Sequence, residues 1–272
     1  MMDEKNRVSW PGWITEKRIC GQGSGSLWKL SRGNGKESAM VKYISVPWNA
    51  WETEELRRQG KSPEHIRAYY DYICRNADAE YDVSRELEGC RHVAVYRDIR
   101  KSRTADGLGW EIYLMMDPVT PIDRFARDLS EVEILKMGRQ ICMALEDSNR
   151  AGLLHGRITP RCIFRDEKGD YLLGGFAGEH FGDLGDFRAP EVAESKFSDS
   201  RADVYSLGLV LYWLLNDRKL PGRNLAAPKN GSEKLKTVVM KAIAPQVSDR
   251  YQTPEELGAA LESLVEKRRK RP

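Results

Sequence analysis

The hydrophobic pattern changes character along this chain. Over about the first 120 residues, short stretches of alternating apolar and polar residues lie between Gly-rich or polar turns. That pattern is typical of β-strands. Five segments fit it: ITEKRIC, SLWKL, SAMVKYISV, HVAVYRDI and WEIYLMM. We therefore predict a small, strand-rich region at the start of the chain.

One long helix interrupts that region, and Ser62 and Pro63 form a suitable start for it. After them, apolar or small side chains recur at spacings of three, four and seven residues, as expected for one helix face. The members of this stripe are Ile66, Tyr70, Ile73, Ala77, Ser84 and Leu87. Glu80 falls within the stripe, whereas Glu86 and Glu88 fall outside it. A buried acid needs a cationic partner, and Lys42 in the apolar strand AMVKY is the candidate.

The remainder of the chain is mainly helical. Ser130 and Glu133 predict a capping box at the start of a helix that ends near Gly152. The side chains predicted to point inward are Val132, Leu135, Ile141, Cys142 and Leu145. The segment DVYSLGLVLYWLLN is apolar nearly all round, which predicts a buried central helix. Thr253, Pro254 and Glu256 mark the start of a last helix.

Between the first two of these helices, CIFRD and DYLLGGF predict a hairpin that turns at EKGD. The expected fold is α+β and bilobal. Residues 1–116 form a small β-rich lobe with one long helix, residues 117–265 form a larger α-helical lobe, and residues 266–272 form a basic tail.

Composition narrows the class of protein. Hydrophobic residues make up 40% of the 272 residues and charged residues 31%, with a net charge of +3, so we expect neither disorder nor a nucleic-acid partner. The five cysteines are odd in number and show no CxxC spacing, which argues against disulfides and structural zinc. With no signal-peptide pattern and no run of 18 apolar residues, we expect a cytoplasmic protein.

An ordered set of motifs carries a family resemblance. Gly21, Gly23 and Gly25 in GQGSG, Lys42 and Glu80 are followed by HGRITPRC, GFA and APE. Protein kinases carry a Gly-rich loop, a strand lysine, a helix glutamate, H-R-D-L-x-x-x-N, D-F-G and A-P-E in that order. Over roughly residues 10–265 the chain resembles bacterial serine/threonine kinases, notably those of Firmicutes, and WPGW, GWEIYLMMDPVTPI, DVYSLG and SDRYQTPEEL add to the likeness.

The resemblance implies roles for individual residues. Those matching the nucleotide-binding set are Gly21, Gly23, Gly25, Lys42, Glu80 and Met116. The aspartate matching Asp203 tethers the catalytic-loop backbone, the glutamate matching Glu191 pairs with the arginine matching Arg250, and His155 has a packing role. The glycine pattern is G-x-G-x-G, one residue shorter than in kinases, which puts phosphate coverage in doubt.

The reactive positions depart from the family. Arg157 occupies the place of the catalytic base, but a guanidinium only donates. Cys162 and Gly175 occupy the places of the two magnesium ligands, and magnesium prefers hard oxygen ligands. Thr159 stands where such kinases carry a phosphate-contacting lysine. We therefore expect a pseudokinase without a catalytic residue and without a bound metal.

Two alternatives stay open. Displaced acids would give an active but atypical kinase, and the nearby ones are Asp166, Glu167, Asp170, Glu179, Asp183 and Asp186. The retained Lys42 and Glu80 allow ATP binding without magnesium, hence an ATP-sensing switch, or else simply hold the small lobe in register. Residues 175–191 contain no Ser, Thr or Tyr, so we expect no phosphorylation switch in this segment.

The expected partner is a protein, either a kinase or an acidic or phosphorylated segment. Arg157 and Arg161 make the loop cationic, and the chain's own EHFGDLGD is one candidate occupant. Lys267, Arg268, Arg269, Lys270 and Arg271 form either a solvated helix end or a contact to an anionic membrane. Trp48 and Trp51 either cover the small lobe's core, which we favour, or form a partner surface.

Overall fold

The chain folds into two compact units. The computed structural model describes residues 8–22, 25–177, 186–193, 199–222 and 224–269. The described parts of the first unit are residues 8–22, 25–86, 94–119 and 177, and those of the second are residues 87–93, 120–176, 186–193, 199–222 and 224–269. Segment 87–93 thus leaves the strand-rich unit, because Leu173 N donates to His92 O at 2.8 Å and Val93 forms a parallel bridge with Leu173.

An antiparallel five-stranded sheet with the order β1-β2-β3-β5-β4 organises the first unit. Its strands are β1 (Ile14–Gln22), β2 (Gly25–Arg32), β3 (Glu37–Val46), β4 (Tyr96–Arg103) and β5 (Trp110–Met116). Trp10, the first residue of the WPGW segment, and Val8, two residues before it, are buried in a cluster with side chains of β2, β3 and β5. The N-terminal segment therefore belongs to the core of this unit.

The prediction for β4 was partly wrong. HVAVYRDI was expected to be the strand, but β4 starts at Tyr96 and runs on through the polar RKSR. It pairs with β5 alone and lies at the sheet edge, where charged side chains are tolerated and protect against further pairing. Hydrophobic alternation is consequently a weak guide to this strand.

Two helices, α1 (Ala50–Arg58) and α2 (Pro63–Glu86), accompany the sheet. The predicted stripe of α2 is buried, including Glu80. The expectation that Trp48 and Trp51 cover the core was wrong, since they are 46% and 59% exposed. Thr53 is the buried residue of α1 and contacts the Tyr70 hydroxyl at 3.0 Å. A position two residues away in a helix points to the opposite side, which leaves Trp51 in solvent.

The described residues of the second unit form a small sheet and five α-helices. The sheet order is β6 (Val119–Pro121), β7 (Ile163–Asp166), β8 (Tyr171–Leu173), and β7 and β8 form the predicted hairpin. The helices are α3 (Glu131–Arg150), α4 (Pro190–Ala193), α5 (Ser200–Leu215), α6 (Glu233–Ala242) and α7 (Pro254–Arg269).

Helix α3 begins as predicted but differs in one inward position. Ser130 Oγ accepts from Glu133 N at 3.3 Å, while the Glu133 carboxylate accepts from the Tyr171 hydroxyl and so does not complete a capping box. Val132 is 53% exposed, contrary to expectation. Glu131 lies on the inward side of the first turn, where its carboxylate bonds Ser232, and the adjacent position therefore faces outward.

Helix α5 forms the buried centre of the second unit. From Ala202 to Leu215 its side chains are buried, except that of Tyr205, which confirms the prediction of a central helix. None of the described helices combines the length and the apolar character that a membrane crossing requires.

Candidate functional site

The Gly-rich turn joins β1 to β2. Gln22 pairs with Gly25, and Gly21 pairs with Ser26. Gly21 has a φ of +135°, and a Cβ built there would lie 2.4 Å from Ser26 Cα, so any other residue at position 21 would clash with the backbone. Gly23 lies outside the described residues.

Lys42 and Glu80 form the predicted ion pair. Lys42 Nζ donates to both carboxylate oxygens of Glu80 at 2.7 Å, and Glu80 is 1% exposed. A second donor to Glu80 was missed from the sequence: the Tyr96 hydroxyl lies 2.5 Å from Glu80 Oε1. No sequence spacing links β4 to α2, so only the fold reveals this contact. Three donated hydrogen bonds offset the cost of burying the carboxylate.

Met116, the last residue of the predicted nucleotide-binding set, ends β5. It pairs in the sheet with Met40 on one side and Tyr96 on the other, and it is 3% exposed. Its side chain therefore belongs to the core of the first unit.

The HGRITPRC loop is anchored by a buried carboxylate in the second unit. Asp203, on α5, accepts from His155 N at 2.9 Å and from Gly156 N at 2.7 Å. Burial raises the pKa of Asp203 to about 6, although these two N–H donors lower it. The tether that the resemblance implies is formed.

His155 packs within the same loop. Its Nε2 lies 3.0 Å from Gly174 O, and its Nδ1 accepts from Arg157 N at 3.3 Å. The tautomer that satisfies both contacts is neutral with the proton on Nε2. Its ring lies 4.7 Å from that of Phe176, the aromatic residue of GFA. Burial lowers the pKa of His155 to about 4, so the ring is neutral at physiological pH.

Three positions at which the loop departs from the family pattern contact one another. The Cys162 thiol accepts from Thr159 N at 3.3 Å, lies 3.3 Å from Thr159 Oγ1 and donates to Arg157 O at 3.5 Å. Cys162 is 1% exposed, whereas the Arg157 side chain is exposed. The loop backbone is thus held internally by the thiol, an arrangement that the sequence did not predict.

The family's metal, magnesium, does not fit these residues. Gly175 has no side chain to offer and adopts a left-handed φ of +80°. Cys162 offers a soft, buried sulfur that already bonds within its own loop, whereas magnesium selects hard oxygen ligands in octahedral geometry. Among the described residues, no group of three or more His, Cys, Asp and Glu side chains is arranged around a metal position.

The loop is less cationic than the sequence suggested. Arg161 Nε lies 3.5 Å from Asp123 Oδ2, and this acid partly neutralises it. Burial raises the pKa of Asp123, and its other oxygen is buried without a hydrogen-bond partner among the described residues. Arg157 is therefore the stronger candidate for binding an anion.

The acids proposed as replacements have other partners. Asp166 Oδ1 accepts from Lys168 N and Asp170 N, and Asp170 bonds Gln140 and Lys136. Glu167 belongs to the same turn and is exposed. Within EHFGDLGD, Glu179 and Asp183 lie outside the described residues.

Asp186, the last acid of EHFGDLGD, forms two side-chain hydrogen bonds with Arg188 at 2.9 and 2.7 Å. That pairing lowers the pKa of Asp186, and the charge of Arg157 lowers it further. One end of the acidic segment therefore lies within the electrostatic field of Arg157.

The second structural pair expected from the resemblance is also present. Arg250, 2% exposed, donates to Glu191 at 2.7 and 2.9 Å and to the carbonyl oxygens of Ala244, Arg201 and Pro245. In the basic tail, helix α7 extends to Arg269. The side chains of Lys267, Arg268 and Arg269, and all of Lys270 and Arg271, lie outside the described part.

Known proteins resemble the chain in sequence and in fold. No family model matches it. A probable serine/threonine-protein kinase of Clostridium perfringens is 25% identical over 161 residues, covering 48% of this chain and 23% of that protein. Serine/threonine-protein kinase PknB of Mycolicibacterium smegmatis is 27% identical over 206 residues, covering 62% of this chain and 32% of that protein. The chain thus spans about a quarter to a third of these relatives.

The crystal structure of the Mycobacterium tuberculosis PknI kinase domain matches with a TM-score of 0.62 at 22% identity, over 94% of this chain and 97% of that domain. The fold is therefore that of a kinase domain, a strand-rich unit followed by a helical one. The similar sequences are those of serine/threonine-protein kinases, and the fold is that of a protein kinase domain.

Proposed function

We propose that this chain is a pseudokinase, whose kinase fold binds and regulates a protein partner and does not transfer phosphate. The observation that carries the proposal is the occupation of the catalytic loop: the Cys162 thiol, in the place of a metal ligand, bonds Thr159 and Arg157. The side chain of Arg157, in the place of the base, has no acceptor atom. Loss of a general base alone costs about 10² to 10⁴ in rate.

A direct assay of phosphate transfer tests this proposal. Purified protein is incubated with radiolabelled ATP, magnesium and an acceptor protein, beside Lys42→Met as the control. We expect equal incorporation in both, at the level of a protein-free blank. Transfer by the wild-type protein that Lys42→Met abolishes would instead identify an active kinase with displaced acids.

A metal-independent ATP sensor is the second candidate, favoured by the Lys42–Glu80 pair. A phosphate-binding lysine held by its glutamate is a retained part of nucleotide-binding machinery. Thermal unfolding with ATP, with and without magnesium, distinguishes the two candidates. A rise in melting temperature that needs no magnesium favours the sensor, and no rise favours a scaffold without nucleotide.

Arg157 is the residue proposed to contact an acidic or phosphorylated partner segment. It is exposed, and its charge lowers the pKa of Asp186. Arg157→Asp should therefore weaken binding of a phosphorylated peptide, while Arg188→Gln serves as the control because Arg188 is occupied by Asp186. Equal peptide binding by Arg157→Asp and the wild-type protein would contradict this assignment.

A further inference from the structure

A cavity of about 530 Å³ lies in the second unit, and its lining does not include the residues of the HGRITPRC loop. Its walls come from residues before α3, the first turns of α3, the end of α5 and the loop that leads to α6. Its size lies in the range of small-molecule pockets. We infer that this cavity binds a small amphipathic organic oxyanion, a phosphate or carboxylate head with a short apolar body.

The apolar part of the wall would hold the body of the ligand. Leu129, Ile134, Leu214 and Leu215 line the cavity with Ala126. All of them except Leu129 are between 3% and 9% exposed, so they form a fixed floor. Binding of a hydrocarbon to apolar surface of this kind is favourable, because it removes both from water.

Two arginines supply the charge for the head group. Arg127 and Arg218 both line the cavity, and neither forms an ion pair with a carboxylate in the described part of the chain. The charge of Arg218 slightly lowers the pKa of Asp123. That carboxylate is in contact with Arg161, not with Arg218. Guanidinium groups bind phosphate and carboxylate oxygens in a bidentate manner, so an oxyanion suits both.

The acids in the wall are already bonded elsewhere. Glu131 accepts from Ser232 N and Oγ at 3.0 and 2.7 Å, and Asp217 accepts from Lys229 Nζ and Asn230 Nδ2 at 3.1 Å each. Lys229 offsets the charge of Asp217, and Glu131 stabilises the start of α6, where the helix dipole favours an anion. Two guanidinium groups therefore remain for an incoming anion.

The arginine wall is preorganised by its backbone. Asp217 and Arg218 have left-handed φ values of +52° and +61°, a conformation that costs energy for residues other than glycine. Arg218 N donates to Trp213 O and Asn230 N donates to Leu215 O, both at 2.9 Å. These bonds hold the loop against the end of α5 and keep Arg218 at the cavity.

Calorimetric titration of the purified chain tests the inference with four probes. Octyl phosphate and octanoate share the proposed chemistry, octan-1-ol lacks the anion, and inorganic phosphate lacks the apolar body. We expect one site per chain for octyl phosphate or octanoate, and binding at least tenfold weaker for both octan-1-ol and inorganic phosphate. The stronger of the two anions identifies the preferred head group.

Variants locate the site. The double variant Arg127→Gln, Arg218→Gln should weaken anion binding at least tenfold. The matched control Arg57→Gln, Arg58→Gln, on the exposed side of α1, should leave it unchanged. Leu129→Trp, which fills the cavity from a half-exposed position, gives an independent loss of binding. Absence of binding, equal binding of octan-1-ol or inorganic phosphate, or unchanged binding by the double variant or by Leu129→Trp would each overturn the inference.

Discussion

His155 and Asp203 are both ionisable and buried, and burial moves their pKa values in opposite directions. The pKa of His155 falls to about 4, and that of Asp203 rises to about 6. Both changes favour the neutral form, because a buried charge without a counter-charge is costly. The loop that these residues hold therefore responds to pH through two opposing contributions.

The His155 contribution can be measured with His155→Gln. An unfolded histidine has a pKa of about 6.5, above the folded value of about 4. The stability that neutral His155 contributes is thus complete above pH 6.5 and lost as the pH falls to 4. In His155→Gln this pH-dependent loss is absent. We therefore expect the difference in free energy of unfolding between the wild-type protein and this variant, its deficit, to shrink by on the order of 3 kcal/mol between pH 7 and pH 4.

Urea denaturation across that pH range provides the measurement. The control is His65→Gln, because His65 is exposed and contacts Ser62, three residues earlier in the chain. The deficit of this control should not change with pH. A deficit of His155→Gln that stays constant from pH 7 to pH 4 would show that His155 is not held neutral by its surroundings.

At the scale of single elements, helix α2 is fastened to the sheet by Glu80. Its carboxylate accepts hydrogen bonds from Lys42 on β3 and from Tyr96 on β4. Glu80→Gln removes the carboxylate charge that the Lys42 ammonium contacts at a largely buried position. Breaking a buried ion pair from one side costs about 3 to 5 kcal/mol, and we expect the lower end because Lys42 is 15% exposed.

Glu86 supplies the matched control for that substitution. It lies on the same helix, outside the buried stripe and exposed. Glu86→Gln should change the free energy of unfolding by less than about 0.5 kcal/mol. Equal effects of the two substitutions in urea denaturation would mean that the Lys42–Glu80 pair does not anchor α2.

Arg250 links α4 to the loop before α7 in the same way. Lysine at position 250 keeps the charge but loses the planar fork that bonds Glu191 and three carbonyl oxygens. Arg250→Lys should therefore cost about 3 kcal/mol.

Arg188 also forms a two-bond pair with a carboxylate but is exposed, so Arg188→Lys should cost below about 1 kcal/mol. A thermal unfolding series that ranks the two substitutions in the opposite order would refute the argument from burial.

The elements that the sequence predicts well are those buried on a whole face. The stripe of α2 and the apolar helix α5 follow directly from periodicity, because burial alone determines their pattern. The predictions fail where position in the fold decides exposure. Edge strand β4 is polar because it pairs on one side only, and Trp51 is exposed because Thr53 takes the inward side of α1.

Some contacts of the site could be predicted from the sequence, and others could not. Motif order identified Lys42 with Glu80, Asp203 with the loop, and Glu191 with Arg250, since each pair lies at matched positions of a family pattern. The contacts of Tyr96 with Glu80 and of Cys162 with Thr159 join residues that replace the family pattern or lie outside it. Only the packed structure brings such residues together.

At the scale of the whole molecule, each unit keeps the contacts that support a kinase site. The first unit retains its Lys42–Glu80 pair, and the second retains the Asp203 tether and the Glu191–Arg250 pair. The departures from the family pattern lie at Arg157, Thr159, Cys162 and Gly175 and in the shortened Gly-rich turn. The supporting contacts are therefore present beside positions that depart from that pattern.

This separation predicts that activity can be restored at three positions. Arg157→Asp supplies a proton acceptor, while Cys162→Asn and Gly175→Asp supply oxygen ligands for magnesium. Aspartate is among the residues that tolerate the left-handed backbone found at position 175. Since each group is needed, single substitutions should remain at the background of the phosphate-transfer assay, and the triple variant should exceed it at least tenfold.

The same triple variant with Lys42→Met added is the control, and it should return to background. Melting temperatures of all variants separate loss of fold from loss of chemistry. A folded triple variant that transfers no phosphate would contradict the prediction. The defect would then extend beyond these three positions, with Thr159 and the shortened Gly-rich turn as the remaining departures from the family pattern.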